Sequence, residues 1–473
     1  MNTIHARLAE NSMQMDSQTI FELIAAHNIN AMSEGVRYYR GKGDITRRKM
    51  FYYDSRGGQT EDETKANHKL VNNWHRLLVD QKTAYLFGKP MVFSVDATEN
   101  GSHKDFADKI DMLLGDEWDD TIADVATNAS NKGREWLHIY IDKKGYFKYV
   151  IIPAEEVIPI YDNAHQKSLE GILHYYNVTV NDIKRLRVEW WTRETVTVYI
   201  ENENGEFELD TKESVNPAPH MEHKEMGKGW GKVPFIDFPN NSMKATDLEV
   251  TKSLIDQYDL AFSDFANNVS EVQEIITILK GYEHTDLATF RHNLRYFKTI
   301  KLRGDNNSGV DKLEFNIPTE AKQELLDRLE ENIFMFGQGV NTKTDKFGNS
   351  PSGASLEFLY TLLDLKASMM ERKFRRAVKR LLWFVTEYIN MEFGHSFDSR
   401  SINVTFRKNL VQNVKEIVDT LKASRDMISD ETIVTLHPMI ETPTDEYQRL
   451  ITQRSTELDP EVKIDLTSVK LNE

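Results

Sequence analysis

One very long amphipathic helix in the second half of the chain constrains the fold most strongly. Ser350 followed by Pro351 makes a good N-cap and first helical position, and apolar residues then recur at helical spacing as far as about Phe393. About forty residues at 1.5 Å each make a rod of roughly 60 Å. A helix of that length crosses an entire domain, so we expect the fold to be organised around it.

Two shorter helical rods precede the long helix and bracket an insertion. Thr246 and Glu249 form an S/T-x-x-E capping box at the head of the first rod, and the second rod is predicted from Thr319 to about Phe336. Because the rods enclose an insertion, the simplest geometry is an antiparallel pair. The predicted buried stripes are Leu254, Tyr258, Phe262 and Phe265 in the first rod and Leu325, Leu329 and Ile333 in the second.

The insertion and a loop complete this part of the chain. Residues 274–317 have β-like runs at both ends and a helical middle, which predicts a compact α/β unit. Residues 340–353 lack periodicity and contain two glycines and a proline, which predicts a mobile loop. Lys343 and Lys346 lie in this loop. Lysines are common in loops, but a mobile loop can present them to a ligand where a rigid helix cannot.

The N-terminal 245 residues predict an α+β domain with an antiparallel sheet. Apolar spacing predicts helices over residues 67–87 and 117–131. Alternation around the turn Lys143-Lys144-Gly145 predicts a hairpin, and residues 211–245, rich in turn formers, are interpreted as a connector that crosses the surface. The predicted strands lie at 135–142, 146–152, 170–178, 187–193, 195–200 and 206–209.

Charge and composition exclude several classes of protein. With 59 Lys and Arg against 75 Asp and Glu, the formal net charge is −16, so the chain as a whole should repel a phosphate backbone and is not a general basic nucleic-acid binder. The absence of cysteine excludes disulfides, thiolate nucleophiles and sulfur-ligated zinc, and it fits assembly in a reducing cytoplasm. No run of about 18 apolar residues occurs, so no membrane span is expected. Arg7, Glu10, Asp16 and Glu22 interrupt the first thirty residues, so no signal peptide is expected.

No motif for catalysis or cofactor binding stands out. Phosphate-binding-loop, zinc-protease and nucleophile-elbow patterns are missing from the sequence, so we expect no enzyme, no metal and no cofactor. His220 and His223 stand three residues apart, but their segment favours a solvated loop over a metal site. The acidic cluster at residues 116–120 could hold magnesium, but it lies at a predicted helix start, where carboxylates favour the positive end of the helix dipole, and we favour that explanation.

Six cations fall within residues 372–380 of the long helix. They could form a patch for nucleic acid or an acidic partner, or simply a solvated helix face. We favour a structural or subunit-interface role. The predicted basic stripe is Arg372, Arg376, Lys379 and Arg380.

Short stretches along almost the whole chain, from about residue 35 to 460, have a characteristic order and spacing. With the arrangement of rod, insertion, rod and loop, they resemble the portal proteins of tailed bacteriophages, the family typified by the portal of Bacillus phage SPP1. The stretches are 38–41 (YYRG), 44–45 (DI), 67–70 (NHKL), 78–80 (LVD), 85–90 (YLFGKP), 231–235 (GKVPF), 240–241 (NN), 247–249 (DLE), 254–258 (LIDQY) and 352–353 (SG).

The resemblance implies a ring of about twelve identical subunits at one capsid vertex, assembled in the host cytoplasm. Double-stranded DNA would enter through it during packaging and leave at infection. Implied partners are the large terminase that hydrolyses ATP, a head-completion or adaptor protein, and the major capsid and scaffolding proteins. The implied parts are a wing (1–245), a first stem helix (246–273), a clip (274–317), a second stem helix (318–339), a tunnel loop (340–353), a long wing helix (354–400) and a helical crown (401–473).

The resemblance also gives the loop a role. Lys343, Lys346, Asn349 and Ser350 would face the DNA without reading bases, while a mainly acidic channel would let the duplex slide. Two other classes stay open from the sequence. One is a metal-dependent enzyme acting on DNA, such as a nuclease, and the other is a capsid scaffold component without a DNA channel.

Overall fold

The computed structural model has the mixed helix and sheet content that the sequence predicts. The chain forms two compact units, residues 1–341 with 362–409 and residues 342–361 with 410–473. In the part that the structure describes, no helix is long and apolar enough to cross a membrane. The structure describes residues 15–53, 57–63, 65–95, 103–162, 168–180, 182–223, 226–272, 276–280, 309–313, 318–342, 353–409, 414–437, 439–440 and 443–458.

The helices include the rods that the apolar periodicity predicts. The second rod agrees with the prediction within a residue, and the long helix ends before Gly394, which takes a positive φ of 70° that favours glycine. The helices are α1 (Ser17–Ala26), α2 (Asn30–Tyr39), α3 (Trp74–Phe87), α4 (His103–Leu114), α5 (Trp118–Lys132), α6 (Lys252–Val272), α7 (Thr319–Gly337), α8 (Gly353–Phe393), α9 (Val414–Ala423), α10 (Asp430–Leu436) and α11 (Pro443–Leu458).

The described strands pair antiparallel throughout, as predicted for the N-terminal domain. They are β1 (Phe51–Tyr53), β2 (Gln59–Glu61), β3 (Val92–Val95), β4 (Arg134–Ile141), β5 (Phe147–Ile152), β6 (Val157–Tyr161), β7 (Leu169–Val180), β8 (Ile183–Trp191), β9 (Thr195–Glu201), β10 (Phe207–Leu209), β11 (Ala218–Pro219), β12 (Met221–His223), β13 (Met226–Lys228), β14 (Phe235–Pro239), β15 (Ile276–Lys280), β16 (Gly309–Leu313) and β17 (Ile402–Thr405).

Strands β6 to β10 form a meander in the order β10-β9-β8-β7-β6, with β11 pairing on β9. One face of this sheet is covered by α1, whose Ile20 and Leu23 are buried against Leu173 and Val188. The alternation of buried and exposed positions in these strands reflects a sheet with one face in the core.

The long helix α8 organises the main core, as its length suggests. Its residues Phe374, Leu381 and Val385 are fully buried in a cluster that also holds α4, α5 and the three-stranded sheet β14-β4-β5. Strand β17 pairs with β3, so the chain after α8 returns to this core.

The interpretation of residues 211–245 as a surface connector is wrong for its second half. Strand β14 pairs with β4 in the register Phe235 to His138, and Ile236 and Phe238 are completely buried. The turn formers on both sides of this short apolar run dominate the composition, whereas the partner strand lies about a hundred residues earlier in the sequence.

Two predicted helix starts are also wrong. Residues 67–73 are not helical, and α3 begins only at Trp74. The capping-box contact exists, since Glu249 Oε1 accepts the Thr246 N–H at 3.1 Å, but α6 begins at Lys252. The N–H groups of Thr251 and Lys252 donate to the carbonyl of Leu248, so a separate turn precedes the helix.

Within the insertion, the structure describes only β15 and β16, which pair antiparallel with Ile276 opposite Leu313. This pairing confirms the two outer β-like runs. The predicted helical middle lies outside the described residues.

In the second compact unit, the described C-terminal residues form the helices α9, α10 and α11. Ser429 caps α10 by accepting the Thr432 N–H at 3.2 Å, and Arg454 of α11 forms an ion pair with Asp430 of α10. Leu421 and Val434 are its buried apolar residues among those described.

Candidate functional site at the junction of the helical rods

The two rods α6 and α7 lie side by side and antiparallel, as predicted. Ile255 near the start of α6 packs in one cluster with Ile333 and Phe334 near the end of α7. At the other end, the Lys322 ammonium of α7 lies 5.5 Å from the centre of the Phe265 ring of α6.

The predicted stripes are only partly buried. On α7, Leu329 and Ile333 are buried, but the Leu325 residue is 44% exposed. On α6, Leu254, Tyr258, Phe262 and Phe265 are all half-buried, with Tyr258 stacked near Phe262. The apolar stripe therefore retains accessible surface.

The fully buried face of α6 is polar, contrary to the prediction of an apolar stripe. Asp259, Ser263 and Asn267, four residues apart on one face, are all less than 5% exposed. Their side-chain oxygens accept backbone N–H groups from residues 72, 70 and 68, at 2.9, 3.0 and 2.7 Å respectively. We call this arrangement the polar seam.

The polar seam explains why residues 67–73 are not a helix. Every second N–H of the segment is bound by α6, so these groups cannot take part in a helical hydrogen-bond ladder. Burial raises the pKa of Asp259 to about 6, although the hydrogen bonds from Asn72 act in the opposite direction.

The start of α6 is fixed by charged groups. The Lys252 ammonium binds Asp44 at 2.8 Å and Asp256 at 2.7 Å, and the Tyr38 hydroxyl donates to Asp256. Burial opposes ionisation of Asp44, but its hydrogen bonds from Lys252 and Arg37 lower its pKa to about 2. The Asp44 carboxylate thus stays ionised over the neutral range, and the contacts of Lys252 and Tyr38 hold the helix start against α2.

A buried ionic network, which we call the junction, consists of Lys82, Asn240, Asp247 and Lys366. Lys82 Nζ donates to Asp247 Oδ2 at 2.6 Å and to Asn240 Oδ1 at 2.7 Å. Lys366 Nζ lies 3.1 Å from the same Asp247 oxygen. The junction therefore ties α3, the segment before α6 and the long helix α8 to one carboxylate.

Two opposite effects act on the titration of the junction. Burial lowers the pKa of Lys82 to about 8. Burial alone would raise the pKa of Asp247, but Lys366 and Lys82 hold it well below the usual range for aspartate. Because Asp247 is buried and bound by two ammonium groups, it is the anion on which the whole network depends.

The root of the predicted tunnel loop is attached to the same region. Gln81 of α3 binds both backbone groups of Val340, at 3.0 Å to its N–H and 2.9 Å to its carbonyl. Lys366 Nζ donates to the carbonyl of Gly337 at 2.9 Å. A Cβ at Gly339 would lie 2.4 Å from Leu78, so glycine allows this close approach.

The predicted loop residues themselves, Lys343, Lys346, Asn349 and Ser350, lie outside the described residues. All four residues of the basic stripe, Arg372, Arg376, Lys379 and Arg380, are exposed on α8. Arg376 and Arg380 line one cleft beside α8 and Arg380 also lines a second, whereas Arg372 and Lys379 line neither of these two clefts.

The histidine interpretation needs correction. His220 is half-buried against Trp191 rather than in a solvated loop; its Nδ1 accepts the Trp230 N–H at 3.2 Å, and burial lowers its pKa to about 4. Among the described residues, no group of three or more His, Asp or Glu side chains is placed to hold a metal ion.

Sequence reasoning missed the polar seam and the junction. The seam carries a local signal, because Asp259, Ser263 and Asn267 recur every four residues opposite the apolar stripe. Lys82 and Lys366 carry none, since each is one of many lysines and its role depends on Asp247 far away in the sequence.

Comparison with known proteins gives a consistent result. The family model for phage portal proteins of the SPP1 Gp6-like type matches residues 24–458. The portal protein of Bacillus phage SPP1 is 35% identical over 455 residues, which is 95% of this chain and 89% of that protein. The portal protein of Clostridium phage phiCD119 is 31% identical over 425 residues, covering 85% of this chain and 88% of that one.

Among solved structures, a chain from the neck of an empty GTA particle, computed with C6 symmetry, aligns with a TM-score of 0.45 and 10% sequence identity. The alignment covers 77% of this chain and 90% of that chain. Family membership rests on the sequence matches.

Proposed function

Because the chain belongs to the SPP1 Gp6-like family of phage portal proteins, we propose that its copies form a closed ring, of about twelve subunits, at one vertex of the virion capsid. The ring is the channel through which double-stranded DNA enters during packaging and leaves at infection. The observation that carries this proposal is the 35% identity to a phage portal protein over 95% of the chain.

The parts of the subunit follow the family plan with one adjustment. We assign α6 and α7 to the stem, residues 274–317 to the clip and 340–353 to the tunnel loop. Because β17 pairs with β3, we extend the wing to residues 1–245 and 354–409. The crown then comprises residues 410–473, which the second compact unit contains together with residues 342–361.

A ring needs a heterologous interface that leaves apolar surface exposed on each isolated subunit. On α8, Leu362, Leu365 and Met369 lie three or four residues apart and are each more than 40% exposed. On α7, Met335 and Phe336 are more than half exposed. We assign these residues to the contact between neighbouring subunits, because apolar surface of this kind favours protein association.

The charge of the chain suits a channel that does not hold DNA. Each copy carries a formal net charge of −16, and a mainly acidic wall repels phosphates, so the duplex can slide. Lys343 and Lys346 then supply sparse contacts to the backbone without reading bases. The attachment of the loop root to α3 and α8 supports this role, since a loop that touches moving DNA needs a fixed base.

The ring also docks other components. We assign the clip to contacts with the large terminase and the head-completion or adaptor protein, and the wing to contacts with capsid and scaffolding proteins. The ATPase is a separate protein in this scheme, because the chain has no phosphate-binding-loop motif.

Electron microscopy of the purified protein tests the proposal. We expect rings with a central hole wide enough for a DNA duplex. A monomer, or a closed particle without a hole, would contradict the channel and favour a scaffold component. A metal-dependent DNA cleavage assay tests the remaining alternative of a nuclease, and we expect no cleavage.

A further inference from the structure

Two adjoining clefts run along one side of α8, and together we call them the basic groove. The first, of about 290 Å³, lies between α8 and the segment after β14. The second, of about 390 Å³, lies between α8 and residues 231–236. Both are lined by Leu169 and Arg380, so they meet at these two side chains.

The rim of the groove is cationic and almost without acid. It carries Lys244, Lys373, Arg376 and Arg380 in the first cleft and Lys232 in the second. Asp237 is the acidic residue in the lining, and it already binds Arg134 through both oxygens, at 3.0 and 2.5 Å.

Three of the rim cations form no ion pair with the carboxylates that the structure describes. Among the described carboxylates, none lies within 4.0 Å of Lys373, Arg376 or Arg380, whereas Arg375 on the same helix is paired with Glu371. Arg380 is exposed as a residue, but desolvation and then the neighbouring Arg376 lower its pKa. In a chain of net charge −16, this is a concentrated positive site, and Asp237 is the acidic group of its lining whose charge acts on Arg380.

The floor of the groove is apolar and consists of buried side chains. Trp136 and Ala377 line the first cleft, Val233 and Phe384 line the second, and all four residues are less than 9% exposed. The guanidinium of Arg134 lies 4.5 Å from the centre of the Trp136 ring and holds it in place. Binding sites of this form combine an apolar lining with a few fixed polar groups.

The chemistry of rim and floor selects a ligand class. Arginine forks bind carboxylates and phosphates equally well, so charge alone would accept DNA or an acidic protein. A duplex, however, is a convex rod with a polar backbone, and it offers nothing to an apolar floor. An extended peptide with alternating acidic and apolar side chains matches both the rim and the floor.

We propose that the basic groove binds an extended acidic peptide segment of a partner protein, with its carboxylates on Arg376 and Arg380 and its apolar side chains on the floor. The proposal does not depend on the ring or the channel. It also gives the unpaired cations of α8 a purpose beyond solvation of a helix face.

Fluorescence anisotropy on the purified full-length protein tests the groove. The probe is a labelled ten-residue peptide of alternating Glu and Leu, compared with a peptide of alternating Glu and Ser and with a labelled 20-base-pair duplex. We expect the Glu-Leu peptide to bind at least tenfold more tightly than the Glu-Ser peptide, since two or more buried leucines contribute that much.

The structure offers a matched pair of variants. Arg376→Glu with Arg380→Glu alters the groove, whereas Arg372→Glu with Lys379→Glu makes the same charge change on the same helix outside it. We expect the first pair to weaken peptide binding at least tenfold and the second less than threefold. Lys244→Glu, in the segment after β14, should also weaken peptide binding. This variant replaces the first pair in the test if that pair does not fold.

Four results would overturn the proposal. Equal weakening by the two pairs would mean a diffuse electrostatic attraction without a site. Equal binding of the Glu-Ser peptide would mean that the floor is not used. Tighter binding of the duplex, lost in the groove variants, would assign the groove to DNA, and no binding of any probe would leave the groove without a ligand of this class.

Discussion

The carboxylate of Asp259 accepts both the backbone N–H and the side-chain N–H of Asn72, each at 2.9 Å, although the two residues are 187 positions apart. Asp259 lies in the middle of α6, and Asn72 lies in the extended segment before α3. One buried carboxylate thus fixes α6 to the segment before α3, and its ionisation must affect the stability of that attachment.

Replacement of Asp259 by Asn should remove a pH dependence of stability. The pKa of Asp259 is raised by burial to about 6 in the folded protein, whereas the unfolded value is about 3.9. The folded state therefore binds the proton more tightly, and this group makes the protein less stable as pH rises from about 4 to about 6. The total effect is on the order of 2–3 kcal/mol.

Melting temperatures of the wild type and of Asp259→Asn, measured from pH 4 to pH 7.5, check this prediction. The difference in melting temperature between wild type and Asp259→Asn should change steadily up to about pH 6 and stay constant above it, because Asp259 is then ionised in both the folded and the unfolded state. Asn keeps the acceptor oxygen but does not titrate, so its own curve lacks this contribution. Asp259→Ala, which loses the acceptor, should be less stable than Asn at every pH by about 1–3 kcal/mol. Parallel curves for wild type and Asn would contradict the assignment.

The same contact explains where sequence reasoning failed. Leu70 fits the helical spacing that continues through Trp74, so residues 67–73 read as the first turns of α3. Their N–H groups are instead bound by Asp259, Ser263 and Asn267, which lie nearly two hundred residues later in the sequence. A local sequence pattern does not show that side chains of α6 compete with the helical hydrogen bonds for these N–H groups. The tertiary contact therefore overrides the helical propensity.

Where the determinants are local, the sequence was sufficient. The β4–β5 hairpin follows from alternation and from the turn at Gly145, whose φ of 88° favours glycine. The rods and the long helix follow from apolar periodicity. The junction could not be predicted, because the partners of Asp247 come from α3 and α8, and periodicity says nothing about which of many lysines is buried.

Replacement of Asp247 by Asn should destabilise the protein strongly. The shape of the side chain is kept, but Lys82, which is 1% exposed, then loses its carboxylate partner. Removal of one member of a buried ion pair costs about 3–5 kcal/mol, which for a unit of nearly 400 residues corresponds to a fall in melting temperature of roughly 4–6 °C. Differential scanning fluorimetry measures this directly.

Glu203→Gln provides the control for the junction. Glu203 pairs with Arg185 at 3.3 Å, but its side chain is 85% exposed, so its loss should cost less than about 1 kcal/mol. If Asp247→Asn were as mild as this control, the junction would contribute little to the attachment of the rods.

Polar substitution of the exposed stripe on α8 should impair ring formation. Leu362→Gln, Leu365→Gln and Met369→Gln together keep the helix propensity and remove apolar side chains that we assign to the subunit contact. Burial of each such side chain contributes about 1.5–3 kcal/mol, so the protein concentration needed for assembly should rise more than tenfold. Light scattering after size exclusion reports the oligomer, and circular dichroism reports the fold.

A second triple variant controls for general surface polarity. Met226, Met243 and Val250 are also more than 60% exposed, but they do not lie on α8. Their replacement by Gln should leave assembly unchanged. If the α8 variant formed rings of normal stability, that helix face would not be part of the subunit contact. The existence of the ring is tested separately, by electron microscopy.

Removal of the loop cations should separate assembly from DNA transport. We expect Lys343→Ala with Lys346→Ala to form normal rings, because the root of the loop is held by Gln81 and Lys366, and to lower the DNA content of packaged heads. Lys143→Ala with Lys144→Ala removes two exposed lysines from a β-turn instead and should package normally. Since both variants change the net charge equally, a defect confined to the loop variant identifies contact with the DNA backbone. Unchanged filling of heads by the loop variant would refute that contact, and a defect shared by both variants would assign the effect to total charge.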